Sequence, residues 1–295
     1  MGERTARTMR GRSGGPADPT GSTAEGGALG GATAVAPRTS RSRLLTYVRT
    51  PRRPRLWFEI LLIGFSYWLY SQIRNAVPQE RTVALRHARS VWTFERDIGL
   101  GVEHAVNHGV DAVTWLIVGM NYYYATLHFA VTVGVLVWLY VRHPARFRPA
   151  RSVLFLTTWL ALVGFWLYPL APPRLLPGAG FIDTVRVHAT WGSVSQGDLS
   201  QVSNQYAAMP SMHIGWSLWC GITLVALARH LWVRIAGALY PVVTLVVIVS
   251  TGNHFWMDAV GGAVCLAVGF TAMRLLYGRW VYRLARHPEP AAARS

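Results

Sequence analysis

Two polar residues at the start of the last long apolar run of this 295-residue chain point to acid–base chemistry. His254 and Asp258 are four residues apart within STGNHFWMDAVGG, residues 250–262. At that spacing a helix places both side chains on one face. A carboxylate that accepts the proton of one imidazole nitrogen fixes the tautomer and makes the other nitrogen more basic. Because an unpaired carboxylate in a bilayer is costly, the spacing predicts an Asp258–His254 pair.

A second histidine lies at the mouth of another apolar run, in NQYAAMPSMHIGW, residues 204–216. Ser211 follows a proline and precedes the run, which is typical of a helix N-cap. A helix start offers unpaired backbone N–H groups and the positive end of the helix dipole, and both favour an anion. His213 falls in the first turn of this helix. The segment therefore predicts an anion site with a histidine beside it.

A third segment, YPLAPPRLLP, residues 168–177, places an arginine directly after a helix-stopping double proline. The guanidinium of Arg174 suits a phosphate group, which it can hold with two parallel hydrogen bonds, although an interfacial arginine can also meet lipid headgroups. As an alternative, His213, His254 and Asp258 could form a three-ligand zinc site. The nearby arginine and helix start favour an anion over a cation, so we predict no metal and no cofactor.

Composition places these segments in a membrane protein. Hydrophobic residues make up 52% of the chain and charged residues 14%, with 13 Trp. The chain contains no lysine, so its net charge of +16 comes from arginine. These arginines lie in tails and short loops beside apolar runs, which encodes membrane topology and argues against nucleic-acid binding. Cys220 and Cys265 fall inside apolar runs and are expected to be core residues.

Six apolar runs are long enough to cross a bilayer, and the predicted fold is an all-α, polytopic membrane helix bundle. A further stretch, 103–120, mixes His, Asn and Asp with apolar residues and is expected to form an interfacial or re-entrant helix. The predicted spans are 57–73, 123–141, 152–169, 212–228, 233–251 and 256–277.

The chain divides into three predicted parts. Residues 1–45 are rich in Gly, Ala, Ser, Thr, Pro and Arg and are expected to be a disordered tail. Residues 56–280 form the membrane domain, and residues 281–295 form a C-terminal tail. Most arginines fall on the side that contains both termini. The positive-inside rule then places both termini in the cytoplasm and the three polar segments on the extracytoplasmic side.

Three pieces of the sequence, separated by predicted spans, resemble the type 2 phosphatidic acid phosphatase superfamily. They are APPR, AAMPSMHIGW and TGNHFWMDAVGG. The resemblance covers roughly residues 56–280, and it is to the branch that contains fungal inositol phosphorylceramide synthase and its bacterial relatives. It implies an integral membrane lipid phosphatase or phosphotransferase.

The resemblance also implies a role for each matching residue. His254 is the nucleophile that attacks phosphorus and forms a phosphohistidine, and Asp258 orients it. His213 is the general acid that protonates the leaving oxygen. Arg174, Ser211 and the helix-start amides hold the phosphoryl oxygens. This agrees with the chemistry expected from the residues themselves, because a neutral imidazole attacks while fixed positive groups meet the developing charge.

The chain departs from the wider superfamily in two phosphate-holding cations. The first motif of the superfamily has a lysine, which this chain lacks, and Ile248 occupies an arginine position six residues before His254. The inositol phosphorylceramide synthase branch also lacks that pattern. The candidate replacements for the missing cations are Arg74 and Arg186. The candidates for a headgroup pocket are Asn121, Tyr124 and His128, in NYYYATLHF.

The expected partners are a lipid phosphate, membrane lipids and an alcohol acceptor such as inositol or a glycolipid. With water as the acceptor the same intermediate would give a phosphatase. One rival hypothesis is a non-catalytic transporter or scaffold of the same fold, whose polar residues line a substrate path. The other is a metal-dependent membrane hydrolase. The enzyme is favoured because the histidines, the aspartate and the arginine all fall on one predicted side.

Overall fold

The computed structural model describes residues 54–76, 80–190 and 205–284. Within these ranges the chain is helical. The described residues form one isolated β-bridge, between Leu170 and Ala207. The predicted all-α class is therefore confirmed.

The helices of the described ranges are numbered here in chain order. They are α1 Leu56–Ala76, α2 Arg81–Asp97, α3 Glu103–Asp111, α4 Thr114–Tyr122, α5 His128–Arg142, α6 Pro144–Leu167, α7 Thr184–Val187, α8 Met212–Leu227, α9 Leu231–Ser250 and α10 Trp256–Tyr277. A π-helical turn, Tyr123–Leu127, joins α4 to α5, and short 3₁₀ turns occupy Pro173–Leu175 and Val281–Arg283.

Four helices of the described part are long and apolar enough to cross a membrane: the continuous α4–α5 helix Thr114–Arg142, α6, α9 and α10. The apolar helix α8 has 16 residues, which span about 24 Å at 1.5 Å per residue. Helix α1 has 21 residues and exposes large apolar side chains, including Trp57 and Phe65, but Glu59 lies in its first turn. The arrangement is a helical membrane bundle, and a total of six spans stays a prediction.

Two predicted boundaries are wrong. The stretch 103–120 is not one interfacial helix, because Glu103–Asp111 is a separate short helix and the residues from Thr114 onward begin the long α4–α5 helix. The residues between the predicted spans 123–141 and 152–169 do not form a loop, because α6 begins at Pro144 and the arginines that follow lie within that helix. A long arginine side chain is accommodated at the end of a membrane helix, so arginine there does not mark a loop.

The main hydrophobic core lies between α5, α6, α8 and α10, away from the polar segments. It contains Val135, Leu136, Leu139, Phe147, Ala150, Val153, Leu154, Trp219, Cys220, Leu227, Leu266, Phe270 and Val281. A second cluster supports the end of the bundle where the polar segments lie. Its residues are Ala84, Ala88, Val91, Leu170, Ala171, Leu176, Ala179, Ala208 and Phe255.

At the arginine-rich end of α6, a buried ion pair joins two helices of the bundle. The guanidinium of Arg151 on α6 forms an ion pair with the carboxylate of Glu59 on α1, and both side chains are almost completely buried. Helix α6 begins at this end, and it finishes at Leu167, beside the polar segments. The arginine-rich ends and the candidate site are thus at opposite ends of α6.

Close packing of α8 against α10 depends on glycine. A Cβ added at Gly262 of α10 would overlap the carbonyl oxygen of Ser211 and lie 3.2 Å from the amide nitrogen of Gly215. Both neighbours are backbone atoms at the start of α8, so they cannot rotate away as a side chain can. Helix packing at a small residue of this kind is common in membrane bundles.

We therefore expect Gly262→Ala to lower the free energy of unfolding by about 1–3 kcal/mol, the usual cost of overpacking. Thermal unfolding of the purified protein in detergent measures the change. Gly134→Ala on α5 is the matched control, because nothing lies within 4 Å of the added Cβ and alanine is the better helix former. Equal stability of the two variants would contradict the packing argument.

Candidate active site

Backbone hydrogen bonds join the first polar segment to the second. The amide of Leu170 donates to the carbonyl of Tyr206 at 2.8 Å, and the amide of Ala208 donates to the carbonyl of Leu170 at 3.2 Å. These bonds form the β-bridge described above. They fix residues 168–177, which follow α6, against residues 205–212, which lead into α8.

The third polar segment is bonded to both of the others. The amide of Arg174 donates to the carbonyl of Gly252 at 3.0 Å, and the amide of Ser211 donates to the carbonyl of Asp258 at 2.8 Å. Gly252 adopts φ +65°, a left-handed conformation that favours glycine, and it turns the chain sharply after α9. The three segments, far apart in sequence, thus meet at one end of the bundle.

His254 and Asp258 form the predicted pair. Nδ1 of His254 lies 3.0 Å from Oδ2 of Asp258, and both side chains are buried. Since a carboxylate only accepts, Nδ1–H donates, and Nε2 keeps its lone pair. Nε2 has no hydrogen-bond partner among the described residues. The imidazole is therefore oriented with a nucleophilic nitrogen opposite the carboxylate.

The reason for this pairing differs from the one predicted. His254 does not lie on a helical face, because α10 begins at Trp256 and His254 belongs to the extended residues before it. Asp258 is the third residue of the helix, and its Oδ2 also accepts a hydrogen bond of 3.0 Å from the amide of Phe255. The carboxylate of Asp258 thus caps the start of α10, and His254, the residue before the N-cap Phe255, lies within hydrogen-bonding distance of it.

His213 lies in the first turn of α8, as predicted, and its ring faces the π-helical turn between α4 and α5. Nε2 of His213 donates to the carbonyl of Tyr124 at 3.2 Å, and the two rings are stacked with centroids 4.1 Å apart. The ring centroids of His213 and His254 are 5.6 Å apart. Two imidazoles at that separation can contact one phosphoryl group from different sides.

Tyr124 and His128, proposed from sequence as parts of a headgroup pocket, lie against this pair. Nδ1 of His128 donates to the carbonyl of Tyr124 at 3.0 Å, and the ring centroid of His128 is 4.1 Å from that of His213. The π-helical turn changes the helical hydrogen-bond register here, and turns of this kind are frequent at functional sites. The backbone carbonyl of Tyr124 thus accepts hydrogen bonds from two imidazoles, those of His128 and His213.

Arg174 lies beside the residue that precedes His254. Its Nε donates to Oδ1 of Asn253 at 3.0 Å, and its Nη1 donates to Oδ2 of Asp183 at 3.3 Å. The ion pair with Asp183 is partly exposed. These two contacts hold the guanidinium at the edge of the site.

Ser211 occupies the predicted N-cap position of α8, but its side chain does not cap the helix. The hydroxyl is fully buried and has no hydrogen-bond partner among the described residues. The predicted cap bond is therefore absent from the described part. The hydroxyl is left as a donor at the start of α8, where the first amides of a helix have no partner within the helix itself.

The other candidates do not lie against His213 and His254. The amide of Asn121 is buried, donates to Oγ1 of Thr190 at 2.9 Å and accepts from Oγ1 of Thr184 at 2.8 Å, so it connects α4 to the segment around α7. Arg186 is exposed on α7. The side chain of Arg74 lies outside the described part, as do the predicted tail 1–45 and residues 285–295.

Two polar residues near the site were not predicted: Asn107, which is buried, and Tyr168, which is partly buried. Asn107 of α3 donates to the carbonyl of Ser250 at 2.8 Å and accepts from the amide of Ile182 at 2.8 Å, so it fixes the turn before His254. Burial and the charge of Asp258 raise the pKa of Tyr168, which keeps this phenol a hydrogen-bond donor. The mixture of polar and apolar residues in 103–120 was the one sequence signal for Asn107.

The zinc alternative is not matched by the donor geometry. Among residues 54–76, 80–190 and 205–284, no three His, Cys, Asp or Glu side chains are grouped as a metal site. His254 uses Nδ1 on Asp258, and the ring of His213 donates Nε2–H to a carbonyl.

Comparison with known proteins supplies the family. A family model described as the PAP2 superfamily matches residues 89–272. No curated protein and no solved structure matches the sequence. The matched region covers more than half of the chain and includes His213, His254 and Asp258 together with the helices that position them. The chain therefore belongs to the PAP2 superfamily.

Proposed function

We propose that this protein is an integral membrane lipid phosphatase or phosphotransferase that acts through a phosphohistidine on His254. The observation that supports this most directly is the buried His254–Asp258 pair, whose geometry leaves Nε2 of the imidazole with its lone pair. An oriented neutral imidazole is an effective nucleophile toward phosphorus.

In the first half of the reaction, Nε2 of His254 attacks phosphorus and forms a P–N bond while the P–O bond to the lipid breaks. His213 donates a proton to the departing oxygen, so a neutral alcohol leaves. The imidazolium of His254 is stabilised by Asp258. In the second half, water or an alcohol attacks phosphorus, the P–N bond breaks, and His213 takes the proton of the attacking hydroxyl.

The groups that would hold the phosphoryl oxygens are Arg174, the Ser211 hydroxyl and the first amides of α8. Preorganised donors of this kind stabilise the charge that develops in the transition state. Arg174 is held next to the site by Asn253 and Asp183, which supports this role. Tyr124 and His128 are proposed to shape the surroundings of His213, since both contact its ring.

The proposed orientation places both termini in the cytoplasm and the site at the extracytoplasmic face. It is supported by the position of the arginine-rich end of α6, opposite to the end that contains the polar segments. A lipid phosphate could then enter the site from the outer leaflet. The resemblance to inositol phosphorylceramide synthases favours transfer to an alcohol such as inositol or a glycolipid.

The purified protein, in detergent, should release phosphate from phosphatidic acid or form a new phosphate monoester when inositol or a glycolipid is added. Activity should persist in EDTA. His213→Ala should slow the reaction of phosphatidic acid about 10²–10⁴-fold, the usual contribution of a general acid. It should slow p-nitrophenyl phosphate much less, because that leaving group needs no proton.

Three outcomes would contradict parts of this proposal. Absence of both hydrolysis and transfer over a panel of lipid phosphates would favour a transporter or scaffold. Loss of activity in EDTA would favour a metal-dependent hydrolase. An equal effect of His213→Ala on both leaving groups would remove the general-acid role.

A further inference from the structure

Two glutamates outside the proposed catalytic set form a buried carboxyl pair at the site end of the bundle. Glu95 lies on α2 and Glu103 is the first residue of α3. Both are fully buried, and their carboxyl groups lie within hydrogen-bonding reach of each other. Two ionised carboxylates in contact without solvent would repel strongly, so the pair must retain a proton.

Glu95 also contacts the helix that positions the catalytic pair. Its Oε1 accepts a hydrogen bond of 2.7 Å from the amide of Met257, the second residue of α10. The first amides of a helix have no partner within the helix and need a cap. Asp258 accepts the amide of Phe255 at the same end. Two carboxyl groups, one local and one 162 residues away, thus cap the first turn of α10.

The other oxygens of the pair have no second protein partner. Apart from the contact between the two carboxyl groups, Oε2 of Glu95 and both oxygens of Glu103 lack a hydrogen-bond partner among the described residues. A shared proton engages Oε2 of Glu95 and one oxygen of Glu103 without any further donor, and the second oxygen of Glu103 keeps none among the described residues.

We propose that Glu95 is a positioning residue for the His254–Asp258 pair, and that Glu103 keeps it uncharged by sharing one proton with it. The catalytic part of this inference rests on the function proposed above. Glu95 holds the first turn of α10 in place through Met257, and that turn contains Asp258. An uncharged Glu95 leaves Asp258 as the carboxylate that meets the imidazolium of His254.

The charges around Glu95 support the shared proton. Burial, the hydrogen bond with Glu103 and the negative charges of Glu103 and Asp258 raise the pKa of Glu95 from 4.5 to about 9, and the amide of Met257 opposes them. Glu103 on α3 and Asp258 on α10 are the charged groups that act on it from the neighbouring helices. At neutral pH the pair then carries one proton.

The test compares Glu95→Gln, which keeps an uncharged acceptor oxygen, with Glu95→Leu, which removes it. Glu95→Gln should keep kcat within about threefold of the unmodified protein at pH 7. Glu95→Leu should lower kcat by about 10–100-fold, as for other groups that orient a reactive side chain, with little change in KM. Glu80→Gln, an exposed glutamate just before α2, is the control.

The pH profile separates positioning from a purely structural role. The unmodified protein should lose activity as pH rises through about 9, because ionised Glu95 adds charge next to Asp258. The Glu95→Gln variant should not show this loss of activity at high pH. In the Glu103→Gln variant the loss should occur at lower pH, since an amide donor favours ionised Glu95. This variant keeps the proposal testable if Glu95→Leu does not fold.

Two readouts do not require enzyme activity. A protonated carboxyl group has an infrared carbonyl band separate from those of carboxylates, and the band should vanish in Glu95→Gln and titrate near pH 9. Because the pKa is raised on folding, stability relative to Glu95→Gln is lost as pH rises from about 4.5 to about 9. The melting temperature of the unmodified protein should fall below that of Glu95→Gln over this range.

These readouts distinguish the two proposals. An inactive protein that shows the titrating band overturns the proposed function and supports the shared proton. Full kcat in Glu95→Leu overturns the positioning role. Absence of the band, or a band that is unchanged in Glu95→Gln, overturns the shared proton. Equal losses in Glu95→Gln and Glu95→Leu, reproduced by a chelator, would indicate a bound cation and overturn the proposal.

Discussion

Replacement of His254 by alanine should abolish phosphoenzyme formation and lower kcat on a lipid phosphate by about 10³-fold or more. The expected loss is this large because, in the proposed mechanism, Nε2 of His254 forms the P–N bond and the buried carboxylate of Asp258 orients its ring. The measurement is trapping with ³²P-labelled substrate under an alkaline quench in detergent, which preserves the acid-labile phosphohistidine, followed by location of the labelled peptide.

A matched control tests whether the effect is specific to this histidine. His230 is exposed between α8 and α9, at the other end of the bundle. His230→Ala should therefore retain full activity and full labelling. Labelled phosphohistidine in the His254→Ala variant would contradict the proposed nucleophile. Labelling confined to His213 would reverse the two proposed roles.

The substitution Asp258→Asn should lower kcat by about 10²–10⁴-fold while leaving KM nearly unchanged. An asparagine at this position can present its NH₂ group to Nδ1 of His254, which favours the tautomer with the proton on Nε2. The nucleophilic lone pair is then lost, and the imidazolium intermediate has no counter-charge. Single-turnover labelling measures the step directly, because the rate of phosphoenzyme formation should fall by the same factor as kcat.

Folding must be separated from chemistry in this variant. Asp258 also caps α10, because the amide of Phe255 donates to the same oxygen, Oδ2, that faces Nδ1 of His254. An NH₂ group turned toward Nδ1 gives up that cap bond, so the Asp258→Asn variant should lose about 0.5–2 kcal/mol of stability, which thermal unfolding measures. Asp97→Asn, an exposed position at the end of α2, is the neutral control. An Asp258→Asn variant that is folded and labels at the normal rate would refute the orienting role.

Glu95, with its proposed partner Glu103, and the His254–Asp258 pair belong to one structural unit. In the first turn of α10, the amide of Met257 donates to the carboxyl group of Glu95, and the carboxylate of Asp258 accepts from Nδ1 of His254. The backbone carbonyl of Asp258 in the same turn accepts a hydrogen bond from the amide of Ser211, the residue just before α8. A change at any of these contacts is expected to move the two histidines relative to each other.

Local patterns in the sequence were sufficient to predict several features of the structure. The apolar runs predicted a membrane helix bundle, and the spacing of His254 and Asp258 predicted their contact. The double proline correctly predicted the end of α6 near residue 168, since proline cannot continue a helix. These features depend on residues close together in the chain, where helix period and backbone restrictions act directly.

Where a local signal had two structural solutions, the prediction was less accurate. The pair of His254 and Asp258 was expected on a helical face, yet the histidine precedes the helix and the carboxylate reaches back as a cap. Ser211 is at the N-cap position without forming the cap bond. Asn121 was expected in a pocket and instead connects α4 to Thr184 and Thr190. Residue type alone does not distinguish these partners.

Contacts between distant segments were decided by the tertiary structure alone. Residues 168–177, 205–212 and 250–258 meet because glycine at position 262 lets α8 approach α10, and because backbone amides of each segment find carbonyls of the others. Glu95 reaches Met257 across 162 residues for the same reason. Sequence periodicity describes one helix at a time, whereas the burial of a polar group depends on which helices pack against it.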